Sequence, residues 1–93
     1  MQRFSVQNEI GETHELPSED LLYELILELD EKNSSLVVEA IPADGLDCYV
    51  SVARSDGGYE MVYKNSSRGE HRVVCDSSPD KIARDMMGWM NSI

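Results

Sequence analysis

The stretch "LDCYVSVARSDGGYEMVYK", residues 46–64, carries the strongest structural signal in the chain. Apolar residues alternate with more polar ones before the glycines, which is the pattern of a strand with one buried face. Asp-Gly and Gly-Gly pairs both accept the positive φ values of a two-residue turn, so the loop is either Asp56-Gly57 or Gly57-Gly58. With either loop, pairing places the valines of the first strand on the same face as Met61 and Tyr63. The sequence therefore predicts an antiparallel hairpin with a defined inner face.

Strand and helix signals flank this hairpin on both sides. Ser18 is a good N-cap for an amphipathic helix, and Pro79 suits the first position of a second helix. The β-branched run "SLVVEAIP" predicts a strand that stops at the turn Pro42-Ala43-Asp44-Gly45. In chain order, the predicted elements are a strand at 3–10, a helix at 19–32, a strand at 35–42, the two hairpin strands, a strand at 70–75 and a helix from 79 onward.

The order of these elements is β-α-β-β-β-β-α, with short antiparallel connections through the middle. Two amphipathic helices need an apolar surface to cover, and an antiparallel sheet with one buried face supplies it. We therefore predict an α+β fold with two layers, an antiparallel meander sheet and two helices, in a single domain spanning residues 1–93. The outward face of the sheet is predicted to carry Val37, Glu39, Ile41, Tyr49, Ser51, Glu60, Val62 and Lys64.

The composition restricts the class of protein. A chain of 93 residues offers little room for a deep catalytic cleft. The two cysteines, Cys48 and Cys75, lie in strand-like runs without metal-ligand spacing, so both are predicted to be buried thiols. The N-terminal residues lack the apolar core of a signal peptide, and no window resembles a membrane span. We expect a cytoplasmic protein without a metal ion or other cofactor.

The charge of the chain is concentrated in its first part. The net charge is −10. Residues 1–53 hold twelve Asp and Glu against Arg3 and Lys32, whereas residues 54–93 hold six acids and six bases. Such an acidic block repels nucleic acid phosphates and anionic lipid, so neither is an expected partner. It attracts a basic protein surface and accelerates the encounter with it.

The first predicted helix concentrates this acidity around two larger side chains. Its apolar arc is centred on Leu22, Leu25 and Leu29, and Leu27 points in the opposite direction beside Tyr23. An exposed leucine and a tyrosine rimmed by carboxylates resemble an interface, although an acidic helix face that only keeps the protein soluble is the competing explanation. The predicted partner-binding residues are Asp20, Tyr23, Glu24, Leu27, Glu28, Asp30 and Glu31.

Catalytic signals are weak. His14 and His71 are the only histidines, and neither lies in a nucleophile or metal-binding motif. The serine clusters "KNSSR" and "CDSSPD" resemble a turn and a helix cap, and there is no glycine-rich phosphate loop. We expect a protein that is not an enzyme.

The arrangement of elements resembles the Imm1-type immunity proteins, which are small acidic bacterial proteins encoded beside polymorphic secreted toxins. The similarity rests on a helix leading into "SLVVEA", the glycine-marked meander "YVSVARSDGGYEMVYKN" and the closing helix "SSPDKIARDMMGWM", over about residues 19–90. The resemblance implies a cytoplasmic protein without catalysis of its own, which binds a cognate toxin, such as a nuclease or deaminase, and blocks its active site with acidic side chains.

Three functions therefore remain open at the level of the sequence. An immunity or inhibitor protein predicts tight binding to one basic partner, as a monomer or a homodimer. A small acidic secretion chaperone predicts a homodimer that holds an extended segment of its client on the open face of the sheet. A small enzyme predicts turnover without a partner, and would need a cleft that the sequence does not disclose.

Overall fold

The structure, a computed structural model, describes residues 3–15, 18–41 and 48–92. Predictions for residues 42–47, which include the turn Pro42-Ala43-Asp44-Gly45, and for Pro17 and Ile93 lie outside the described residues, as does the side chain of Ile41. The elements are β1 (Arg3–Asn8), β2 (Thr13–Glu15), α1 (Glu19–Leu27), β3 (Ser35–Ile41), β4 (Cys48–Ser55), β5 (Gly58–Asn65), a short 3-10 turn (Ser66–Arg68), β6 (Glu70–Asp76) and α2 (Pro79–Asn91).

The predicted two-layer α+β fold is confirmed. Within the described residues, six strands form one antiparallel sheet in the order β2-β1-β3-β4-β5-β6. The central hairpin closes with Ser55 opposite Gly58, so the loop is Asp56-Gly57, and Gly57 has a φ of 80°. That positive φ is the conformation for which a glycine is needed at this position.

The core lies between the inner face of the sheet and the two helices. Val52 faces Met61 and Val50 faces Tyr63 across the β4–β5 pair, which confirms the predicted side-chain parity. Trp89 of α2 packs edge-on against Tyr63, with 5.5 Å between the ring centroids, and is tilted against Phe4 at 6.4 Å. Burial of these apolar and aromatic side chains is the main stabilising term of the fold.

The N-terminal region differs from the prediction in two ways. The first strand ends at Asn8, and a further strand, β2, follows it and pairs with β1. The chain turns between them at Gly11, which has a φ of 95°, and the Asn8 side chain accepts the Glu12 backbone N–H at 2.9 Å. Thr13–Glu15 carries no apolar alternation, so sequence periodicity did not indicate a strand there.

The first helix is shorter than predicted. It ends at Leu27, with Glu28 as its C-cap, and does not extend to residue 32. The reason lies in the following turn, where the Asp30 carboxylate accepts the backbone N–H groups of Lys32 and Asn33 at 2.8 and 2.9 Å. Such side-chain hydrogen bonds offer the backbone an alternative to continuing the helix.

The outward face of the sheet is not covered by either helix. Cross-strand pairing aligns Val37, Ser51, Val62 and Val73 in one row across β3 to β6, and Val73 is 57% exposed. Cys75 also belongs to this face and is exposed, so the prediction of two buried thiols is wrong for Cys75 and holds only in part for the half-buried Cys48. The parity of β6 decides this, because only alternate residues of that strand point toward the helices.

Gly58 is required by a close approach between two strands. A Cβ atom at this position would lie 2.7 Å from the backbone carbonyl oxygen of Asp76, which cannot move without disturbing the β5–β6 pair. We therefore expect Gly58→Ala to lower the free energy of unfolding by about 1–3 kcal/mol, measured by urea denaturation. The matched control is Gly88→Ala in α2, where a Cβ meets nothing within 4 Å. That change should raise stability by about 1 kcal/mol, and equal effects at the two positions would contradict the prediction.

Candidate functional site: the acidic face of the first helix

Four of the predicted partner-binding residues form one stripe on α1. Asp20, Tyr23, Glu24 and Leu27 stand at positions i, i+3, i+4 and i+7 of the helix. Residues with this spacing lie on the same side of a helix. Together with Glu28 at the C-cap, this stripe is called the acidic face below.

The two large side chains of the acidic face are turned to solvent. Leu27 is 51% exposed and Tyr23 is 39% exposed, whereas their neighbours Leu22 and Ile26 are completely buried. This confirms the predicted helix register. Exposure of one leucine is ordinary in a soluble protein, but an exposed leucine one helical turn from an exposed tyrosine is a larger apolar patch.

The charges of the acidic face oppose one another. Asp20 and Glu24, and Glu24 and Glu28, are each four residues apart, and such like-charge pairs cost about 0.2–0.5 kcal/mol each. Within the described part of the chain, none of these carboxylates forms an ion pair with Lys or Arg. The last turn of α1 also lacks a basic residue, although the helix dipole favours one there. The face therefore presents uncompensated negative charge.

The second helix adds to this surface. A cleft of about 190 Å³ lies where the N-terminal turns of α1 and α2 meet, and its lining includes Glu19, Asp20, Tyr23 and Asp80. A hydrogen bond from the Ser78 hydroxyl to the Asp80 carboxylate is the main cause that lowers the pKa of Asp80. Asp80 is thus held ionised, and the cleft is lined by three carboxylates beside one aromatic ring. A lysine or arginine side chain is the chemical group that such a cleft accepts.

The structure does not bring the whole predicted set onto one helical surface. Asp30 and Glu31 lie in the turn after α1, beyond the end of the helix. Hydrogen bonds from the Lys32 and Asn33 backbone N–H groups lower the pKa of Asp30, so its carboxylate holds that turn. Glu31 is exposed and forms no hydrogen bond or ion pair with the described residues.

Sequence reasoning missed the contribution of Glu19 and Asp80 to the cleft. Neither residue belongs to the predicted partner-binding set. Their approach depends on the packing of α1 against α2, two elements that are more than fifty residues apart in the chain. No local sequence pattern encodes such a contact.

Metal-ligand groups and membrane-spanning helices are both absent from residues 3–15, 18–41 and 48–92. These ranges contain no group of three or more His, Cys, Asp and Glu side chains placed to hold a metal ion. Neither described helix is long and apolar enough to cross a membrane.

Comparisons of this chain with protein-family models, with curated proteins and with solved structures find no match.

Proposed function

We propose that this chain is an immunity or inhibitor protein that binds a basic protein partner, such as a nuclease or deaminase toxin, through the acidic face of α1. The observation that carries the proposal is the exposure of Leu27 and Tyr23 on one helical stripe, between carboxylates that form no ion pair with the described residues. The chain acts by occupying its partner's surface and not by catalysis. Inhibition of a nuclease fits this chemistry, because a site that binds phosphates is itself basic.

The division of roles within the acidic face follows the physics of interfaces. Leu27 and Tyr23 act as anchors that become desolvated on binding, and anchors of this kind supply most of the affinity. The carboxylates of Asp20, Glu24 and Glu28 form the rim, where they accelerate association and exclude acidic partners. The cleft beside Asp80 receives a basic side chain of the partner.

The secretion-chaperone alternative is favoured by a different observation. The outward face of the sheet is uncovered, and Val73 on that face is 57% exposed. A chaperone of this type would be a homodimer that contacts its client with this face. A monomer in light scattering of the isolated chain would exclude the chaperone alternative, because the inhibitor proposal requires no dimer for binding.

The rim carboxylates offer a direct test of the proposed function. The partner is obtained by co-expression with the product of the adjacent gene, and association is followed by stopped-flow mixing at several salt concentrations. We expect Glu24→Lys to slow association about tenfold at low salt and to reduce the dependence of the rate on salt, because the rim steers the encounter. The dissociation rate should change less.

A matched control is available on the sheet. Glu60 is exposed on the outward face of β5, so Glu60→Lys makes the same change in net charge at a different place. The proposal predicts a much smaller effect for Glu60→Lys than for Glu24→Lys. Equal effects of the two changes would mean that net charge alone governs association. A larger effect of Glu60→Lys would indicate that the interface is on the outward face of the sheet.

A further inference from the structure

A second feature, apart from the acidic face, is a groove between β6 and α2 on the inner side of the sheet. Its volume is about 530 Å³, which is in the range of ligand-binding sites. Three arginines, Arg68, Arg72 and Arg84, line it together with the carboxylates of Glu70 and Asp85. Three guanidinium groups against two carboxylates leave one net positive charge. The groove is therefore cationic in a chain whose net charge is −10.

Two of these guanidinium groups have donors that are open to an anion, and one of the two is held in place by its neighbours. Arg72 donates from Nε to Glu70 Oε2 at 3.0 Å, and its guanidinium carbon lies 4.4 Å from the centroid of the Tyr63 ring. These contacts fix the plane of the guanidinium, and its Nη atoms make no hydrogen bond to the described residues. Arg84 forms neither a hydrogen bond nor an ion pair with the described part of the chain. A planar guanidinium with open donors suits bidentate binding of a carboxylate.

Two contacts, one toward each end of α2, join this helix to β6 and to the turn before β6. Lys81 of α2 pairs with Asp76 at the end of β6, at 3.0 Å, and Arg68 bonds the Ser92 carbonyl oxygen at the other end of α2. Between these contacts the wall of α2 is recessed at Gly88, where a Cβ atom would meet nothing within 4 Å. The groove therefore runs alongside β6 and has room for side chains that project from an extended chain.

Strand β6 is also the accessible edge of the sheet. It stands last in the strand order, and nothing in the described ranges pairs with its outer side. Its seven residues pair with β5 without a bulge and contain neither proline nor lysine, whereas β2 at the opposite edge has three residues. Such an edge accepts an added strand, because its outward backbone N–H and C=O groups are open.

We infer that β6 and this groove together bind an extended anionic peptide segment of another protein, which adds to the sheet as a further strand. The bound peptide carries an acidic residue opposite Arg72 and an apolar residue opposite Val74. Both of these side chains lie on the inner face of the sheet. Directly opposed side chains in neighbouring strands lie about 5 Å apart, so a carboxylate there reaches the Arg72 donors. On the outer face, an apolar residue covers Val73. The recognised pattern is three consecutive residues, one acidic and two apolar. The acidic residue comes first or last, depending on the direction in which the peptide runs along β6.

The charge of the chain argues against a second copy as the occupant. Antiparallel self-pairing of β6 centred on Arg72 would oppose the two Arg72 side chains, and pairing centred on Val73 would oppose Glu70 to Asp76, whereas pairing centred on Val74 would place Arg72 opposite Asp76. Self-pairing is therefore disfavoured in some registers only, and the net charge of the whole chain is the more general argument. The net charge of −10 opposes self-association further.

The test uses two seven-residue peptides with blocked ends, Ser-Thr-Glu-Val-Val-Thr-Ser and Ser-Thr-Val-Val-Glu-Thr-Ser, which present the pattern in both strand directions. Each has a control in which glutamate is replaced by lysine. Binding is read from the fluorescence of Trp89, which lines the groove and is the only tryptophan of the chain, and from backbone amide shifts of β6. At least one glutamate peptide should bind, at least fivefold more tightly than its lysine control.

Two variants of the protein, with Gly88→Ala as a control, locate the site. Gly88→Leu fills the recess of the groove with no close contact at its Cβ, and should weaken binding of the glutamate peptide at least tenfold, whereas Gly88→Ala should bind within twofold of the parent chain. Arg84→Glu should weaken binding at least fivefold. Equal binding of the lysine peptide, binding indifferent to Gly88→Leu, or no binding of either glutamate peptide at millimolar concentration would overturn the inference. The inference would also be overturned if the chain self-associates through β6, so that the β6 backbone amides are already protected without peptide. The same holds if free glutarate binds as tightly as the glutamate peptide.

Discussion

Leu27→Asp is expected to weaken the complex with the proposed basic partner by about 2 kcal/mol or more, which is roughly thirtyfold in the dissociation constant. Leu27 is half exposed in the isolated chain, so its apolar side chain is available for burial in the complex. An aspartate at this position loses that burial and places another carboxylate at the centre of the interface, where it would be desolvated. Isothermal titration with the co-expressed partner measures the change.

The isolated Leu27→Asp variant should remain folded. Leu27 is the last residue of α1, and its replacement should cost less than about 1 kcal/mol through helix propensity and the helix dipole. The neighbouring change Ile26→Asp is the control, because Ile26 is completely buried and should not tolerate a charge. A Leu27→Asp variant that binds normally would refute the anchor role of Leu27. One that unfolds would show that the leucine packs inside.

The second large effect concerns stability. Trp89→Ala should lower the free energy of unfolding by about 3–5 kcal/mol, because it removes a buried ring that packs against Phe4 and Tyr63. For a domain of this size, that corresponds to a fall in Tm of about 15 °C or more. Urea denaturation followed by circular dichroism is the suitable measurement, since the variant contains no tryptophan for fluorescence.

Trp89→Phe separates the packing of the ring from its hydrogen bond. The Trp89 indole N–H donates to Glu70 Oε1 at 2.9 Å, and this bond is the main cause that lowers the pKa of Glu70. We expect Trp89→Phe to cost about 1–2 kcal/mol at neutral pH. A carboxylate with a lowered pKa adds stability above its unfolded pKa and loses it as the pH falls through the folded value. The loss of unfolding free energy in Trp89→Phe, relative to the parent chain, should therefore become smaller at acidic pH. A loss that does not depend on pH would contradict this role of the hydrogen bond.

The sequence predicts those parts of the fold that depend on local periodicity. The alternation in β4 and β5 and the Asp-Gly pair determine the hairpin, its register and its inner face, since a slip of one residue would expose Val50 and Val52. The apolar arc of α1 determines its rotation, and thus the exposure of Leu27. Strand β2 could not be predicted in this way, because its three residues gain their structure from pairing with β1.

Features that depend on tertiary contacts were beyond local patterns. The end of α1 depends on hydrogen bonds to Asp30, which compete with one further helical turn. The cleft at Asp80 and the groove at Arg72 both depend on where α2 lies on the sheet. In the sequence, Trp89 showed only the spacing of a core residue. Its hydrogen bond to Glu70 and its place in the groove follow from the pairing of β6 with β5.

The leucine methyl resonances of the chain, recorded with and without the co-expressed partner, show whether the acidic face of α1 is the docking surface. We expect the Leu27 methyl signals to shift or broaden most, while those of buried Leu22 and Leu36 change little. Unchanged Leu27 signals in a saturated complex, with large changes elsewhere, would contradict it.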